Sequence, residues 1–122
     1  MVYDKIEDAI ADEIAPLKTR LGEIETLIAE KREAIRTEDN KFRKTDLREE
    51  ENEIIRERRR IWGTIENIKQ LEFRKLLAEE YDLPLTHPKF DRVYNLAYQH
   101  GHGSGYSDVE NYFSEFVELV KD

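Results

Sequence analysis

Cysteine is absent from this sequence, and proline, tryptophan and methionine are scarce, at three, one and one among 122 residues. Without cysteine there is no disulfide framework, no thiolate nucleophile and no zinc site built on sulfur, and an intracellular setting is the natural expectation. No apolar run approaches the roughly 20 residues needed to cross a bilayer. The opening MVYDKIEDAI lacks a basic region followed by an apolar stretch. The expected location is therefore the cytoplasm, with no membrane partner. Positive charge is in deficit as well: 28 acids face 20 bases, a formal charge of −8. Such a surface repels phosphate backbones and anionic lipid, so a basic protein surface is the expected partner and nucleic acid is not.

What the sequence has in quantity is charge at helical spacing. The charge is uneven: residues 1–35 hold nine acids against five bases and residues 87–122 six against three, while residues 36–60 are nearly balanced. From Ile14 the apolar residues fall at Ile14, Leu17, Leu21, Ile24, Ile28 and Ile35, with Lys31 taking the skipped place, and these alternating steps of three and four form a heptad seam. Pro16 sits early in this run and predicts a break or kink near Ala15, leaving Ile6, Ile10 and Ile14 on a short first helix or a bent start. The segment RTEDNKFRKTD interrupts the pattern, and Asp46 with Glu49 has the form of a capping box opening a second helix. A second seam follows through Leu47, Ile54, Ile61, Ile65, Ile68 and Leu71, with Leu76 and Leu77 near its end. Two long amphipathic helices joined by a short polar link fold back as an antiparallel hairpin.

Pro84 and Pro88 in YDLPLTHP end the second helix. A third helix, capped by Thr86 or His87, carries Phe90, Val93, Tyr94 and Ala97 on one face, with Gly101 as its C-cap. Ser107 and Glu110 form another capping box, opening a fourth helix with a stripe of Val109, Tyr112, Phe113, Phe116, Val117 and Val120. The expected fold is all-α: one domain, residues 1–122, with a coiled-coil hairpin over 1–81 and a two-helix unit over 86–122. A core this thin favours association, and a homodimer through the apolar seams is expected.

The stretch GHGSGY between the last two helices is the main functional suspect. As a connector it uses Gly101, and Gly103 or Gly105, at positive φ, with Tyr106 closing the turn against the core and His102 buried and bonded to backbone carbonyls. As a binding loop it spans Gly101, His102, Gly103, Ser104, Gly105, Tyr106 and Ser107, with free N–H groups before a helix N-terminus offered to an anion or a partner. It has no preceding strand and no following lysine, so it is neither a P-loop nor a dinucleotide fingerprint. His100 and His102, with Asp108 or His87, are weak candidates for divalent metal ligands, and no metal site is assigned. In RERRRIW, Arg56, Arg58, Arg59 and Arg60 beside Trp62 suggest nucleic acid; the glutamates from Glu49 to Glu57 suggest instead a self-paired face, with Trp62 at the seam or an interface. No complete catalytic constellation occurs, so neither an enzyme nor a cofactor is expected.

The run Gly101, His102, Gly105, Tyr106, Asp108, Val109, Tyr112, Phe113, Phe116, Val117, Glu118 and Leu119 resembles the C-terminal segment of small tailed-bacteriophage proteins, Gly-His-x-x-Gly-Tyr-x-Glu-Val-x-x-Tyr-Phe. This sequence has Asp108 where that pattern has glutamate, and the resemblance covers only the last third. It implies a phage accessory protein and no particular chemistry. The expected function is non-enzymatic binding of a host protein, inhibiting or redirecting it, with a defence or nucleic-acid-handling system as the plausible target. An oligomeric nucleotide-binding protein that sequesters a signal, with phosphate at the loop, and a structural phage component are the alternatives.

Overall fold

A computed structural model describes residues 1–121. Among them there is no strand: a 3-10 turn, Val2–Lys5, leads into helix α1, Ile6–Thr37, followed by α2, Lys41–Glu80, α3, Phe90–Gly101, a 3-10 turn, His102–Ser104, and α4, Tyr106–Val120. The chain divides into two compact units, residues 11–67 and residues 1–10 with 68–122, so the division falls inside both long helices.

The first unit is an antiparallel helical hairpin. Ile14, Leu21, Ile24 and Ile28 of α1 and Leu47, Ile61 and Ile65 of α2 are buried, and Leu17, Ile35 and Ile54 are half-buried. Four ion pairs cross between the arms: Arg20 with Glu57, Glu25 with Arg58, Lys31 with Glu50 and Arg32 with Glu51. Residues 20 and 25 of α1 meet 57 and 58 of α2, and residues 31 and 32 meet 50 and 51, so the later part of α1 lies against the earlier part of α2, the signature of antiparallel arms. Glu50, Glu51 and Glu57 thus reach across to α1, where the sequence reading pairs the α2 glutamates with their own arginines at helical spacing; pairs along one helix occur beside them, Arg20 with Glu23, Arg36 with Glu33 and Arg43 with Glu50. The Arg20 guanidinium grips Glu57 with two nitrogens, Nε and Nη2, each 2.9 Å from a carboxylate oxygen. That fork holds the Glu57 carboxyl below its ordinary range and raises the guanidinium. Lys31 lowers Glu50 in the same way.

Two boundaries differ from the sequence reading. Helix α1 runs through Pro16 with no break. The proline removes one hydrogen bond, to the carbonyl of Asp12, but Asp12, Ala15 and Pro16 are all exposed, so water can satisfy the freed carbonyl. Helix α2 opens at Lys41, ahead of the Asp46–Glu49 box. Asn40 is the cap, its Oδ1 accepting the N–H groups of Phe42 at 2.9 Å and Arg43 at 3.1 Å. Trp62 is 54% exposed and Leu71 63% exposed, both off the buried seam, which after Ile65 advances in steps of four through Lys69 to Phe73 and Leu77.

The second unit is built on aromatic packing. Phe73, Phe90 and Phe113 are fully buried, with Phe90 and Phe113 ring centroids 5.6 Å apart. Arg74 lies over the Tyr94 ring at 4.7 Å and pairs with Asp91. Helix α2 ends with Asp82 in the left-handed conformation, φ 52°, a position aspartate tolerates, and the Leu83 N–H returns to the Ala78 carbonyl at 3.1 Å. Lys89, rather than Thr86 or His87, occupies the N-cap of α3, and the His87 Nδ1 accepts the Lys89 N–H at 3.0 Å. Val93, Tyr94 and Ala97 of α3 and Val109, Phe113 and Val117 of α4 are buried, and Tyr112, Phe116 and Val120 are half-buried.

Candidate functional site

The α3–α4 turn is shaped by two glycines acting for different reasons. Gly101 is buried at the end of α3 with φ −111°, ordinary for any residue. Its requirement is space: a β carbon there would stand 2.6 Å from the Val109 nitrogen and 2.8 Å from the Asp108 carbonyl carbon. Gly105 has φ 100° and ψ −178°, a region essentially reserved for glycine. Gly103 meets neither demand, since a β carbon there would touch nothing within 4 Å. Only Gly105 therefore takes the positive φ expected within the turn, and Gly101 serves close helix approach.

His102, Gly103, Ser104 and Gly105 are exposed, while Tyr106 and Ser107 are half-buried. His102 is not the buried residue of the connector reading. Its ring stacks on Tyr98 with centroids 5.2 Å apart, and its Nδ1 lies 3.0 Å from the Tyr98 carbonyl. A carbonyl only accepts, so Nδ1 donates, and Nε2 of the neutral ring is left as an acceptor. The Tyr106 ring packs edge-on against Phe73 at 4.8 Å, closing the turn against the core as the connector reading expects. The loop thus has an exposed rim of His102, Gly103 and Ser104 on a base fixed by Gly101, Gly105 and Tyr106.

The histidines do not converge. The His100 ring lies 5.4 Å from Tyr112 and 5.7 Å from Phe116, on α4, whereas His102 is stacked back on α3. Among the described residues no group of three His, Cys, Asp or Glu side chains is placed to hold a metal ion.

Glu110 departs most from the sequence reading. No side chain caps α4; Gly105 occupies its N-cap, and Glu110 turns inward instead of completing a box with Ser107. Its carboxylate is fully buried and accepts the N–H groups of Val2 and Tyr3, each at 3.0 Å, and the Tyr81 hydroxyl at 2.7 Å. Glu110 therefore caps the turn that leads into α1, satisfying donors that no residue near them in sequence reaches. Burial, and then the bond to this carboxylate, push the Tyr81 hydroxyl above its ordinary value.

Two exposed features carried no sequence signal. Between α3 and α4 lies a recess of about 300 Å³ lined by Arg92, Leu96, Phe116, Leu119 and Val120. At the start of α2, Phe42 is 85% exposed among Lys41, Arg43 and Lys44. Helical periodicity places Leu96 and Leu119 one step beyond the buried stripe, where only the packed geometry tells a covered position from an open one.

Taken together, these features define an all-helical protein with a hairpin unit and an aromatic two-helix unit, whose open surfaces are a glycine turn and an apolar recess. The chain belongs to a family of unknown function, DUF8546, whose model matches residues 8–121. Neither a curated protein nor a solved structure matches it.

Proposed function

We propose that the protein is a binding factor, a phage accessory protein that engages a host protein through the exposed α3–α4 turn and inhibits or redirects it. The observation carrying this reading is the contrast among the three glycines of the turn. Gly101 and Gly105 answer demands of packing and backbone geometry; Gly103 answers none and stands beside exposed His102 and Ser104 on a fixed base. A small, bare residue at the tip of a rigid turn lets an incoming surface approach the backbone closely, and contact residues concentrate on such loops. The acidic balance of the chain favours a basic target. Asp108, in the first turn of α4, adds negative charge close to that helix N-terminus, which disfavours a phosphate there and favours a protein over a nucleotide ligand.

A photo-crosslinking residue at Ser104 tests this in cells of a bacterial host. The expected result is a discrete adduct with a host protein that is absent when the crosslinker stands at Gly22, an exposed position on the hairpin. Equal labelling from both positions, or no adduct from Ser104, would overturn the assignment.

A further inference from the structure

We infer that the Met1–Val2 bond is a processing site, cut by a peptidase that removes methionine ahead of a small side chain, and that the α-ammonium freed at Val2 is the cation that buried Glu110 is placed to receive. What selects this bond is a charge without a counter-charge. Glu110 is fully buried, and a carboxylate that deep is ordinarily paired with a cation. Its three hydrogen-bond donors are all neutral: the N–H groups of Val2 and Tyr3, each at 3.0 Å, and the Tyr81 hydroxyl at 2.7 Å. Among the described residues no lysine, arginine or histidine forms an ion pair with it; Lys69 and Arg74 of the same unit pair with Glu7 and Asp91 instead. The α-nitrogen of Met1 turns to exposed Asp4, 3.8 Å away.

Hydrolysis supplies the missing charge at an atom already in contact. Water gives its oxygen to the Met1 carbonyl carbon as the C–N bond breaks, and its two protons pass, net, to the Val2 nitrogen. A methionine carboxylate departs, and a neutral amide N–H becomes an ammonium at neutral pH. That ammonium has three donors and starts 3.0 Å from Oε2 of Glu110, so a neutral hydrogen bond becomes a buried, charge-assisted pair. The rest of the site is already formed. Val2 is 2% exposed and anchors the nitrogen, whereas Met1, the residue that leaves, is 53% exposed.

The fold also sets the order of events. Once α4 docks, the Val2 nitrogen is enclosed against Glu110, so the cut belongs to the growing chain. Glu110 is made 108 residues after Val2, about 5–20 s later at ordinary rates of synthesis, and the bond stays open to a peptidase in that interval.

Intact mass and N-terminal sequencing of the chain made at low level in bacterial cells test the cut. The expected first residue is Val2, and a chain whose first residue precedes Val2 would overturn the proposal. The pairing is tested on chains released from a cleavable fusion so that they begin at Met1, at Val2, or at Val2 carrying an Nα-acetyl group, which keeps a neutral N–H at the same position. In urea denaturation the Val2 ammonium chain should have a folding equilibrium constant about tenfold above both others. Glu110→Gln should erase that difference, whatever it does to stability throughout. Where Glu110→Gln does not fold, the acetylated chain decides alone, since it removes the charge and leaves Glu110 intact. Equal stability of the three chains, or an ammonium advantage that persists in Glu110→Gln, would overturn the pairing.

Discussion

Glu110 holds the backbone N–H of Val2 at 3.0 Å across 108 positions of sequence, and the same carboxylate takes the N–H of Tyr3 and the hydroxyl of Tyr81. One buried side chain thus joins the start of the chain, the end of α2 and helix α4. Glu110→Ala leaves these donors without their acceptor, and Glu110→Gln turns an amide N–H₂ towards donors. Each should cost about 2–4 kcal/mol in chemical denaturation. Tyr81→Phe removes a single donor and should cost about 1 kcal/mol. Amide exchange at Val2 and Tyr3 should accelerate in the Glu110 variants and stay close to parent in Tyr81→Phe.

Tyr81 also sets an alkaline limit. Its hydroxyl is raised above the ordinary value of 10.0, so the folded protein keeps the proton that the unfolded chain gives up. Its contribution to stability is complete below pH 10 and declines as pH rises through the folded value. The melting temperature should fall less steeply above pH 10 in Tyr81→Phe than in the parent.

The glycines of the turn should separate by mechanism. Gly101→Ala forces a β carbon against the α4 backbone and should destabilise by about 2–3 kcal/mol. Gly105→Ala is strained by its backbone angles and should cost about 1–3 kcal/mol. Gly103→Ala has open space and an unremarkable φ, and should lie within about 0.5 kcal/mol of the parent. Thermal denaturation of the three variants checks the order.

Acid should loosen the hairpin unit. Arg20 and Lys31 hold Glu57 and Glu50 below the ordinary 4.5, so at low pH the unfolded chain takes up protons before the folded one. Their stabilising contribution is present above that value and lost as pH falls through the lowered folded values. Glu57→Gln should show a shallower acid limb than the parent in melting temperature between pH 6 and 3.

The hairpin and the two-helix unit were legible because burial there follows period. Ile14, Leu21, Ile24 and Ile28 lie one above another on any helix drawn through them, and so do Val109, Phe113 and Val117. Charges near chain reversals were less legible. Asp46–Glu49 and Ser107–Glu110 both match a local capping pattern, yet a helix is capped by whichever acceptor reaches its first N–H groups in space. At α2 that is Asn40. Glu110 is satisfied across the fold, a long-range pairing that no local spacing encodes. Pro16 does not break α1 for a related reason: the cost of one missing hydrogen bond depends on whether water reaches the freed carbonyl, and solvent exposure is a property of the packed molecule. In the loop, glycine count drew attention to the α3–α4 turn, but only the proximity of Val109 separates a glycine needed for space from one left bare.

The central claim, that the α3–α4 turn grips a host protein, is tested most directly by affinity capture from bacterial lysate with the parent beside Gly103→Arg, a variant whose added side chain enters open space. At equal melting temperatures, the account predicts a host protein retained by the parent and lost from the variant. Retention of the same protein by both, or by neither, would contradict it.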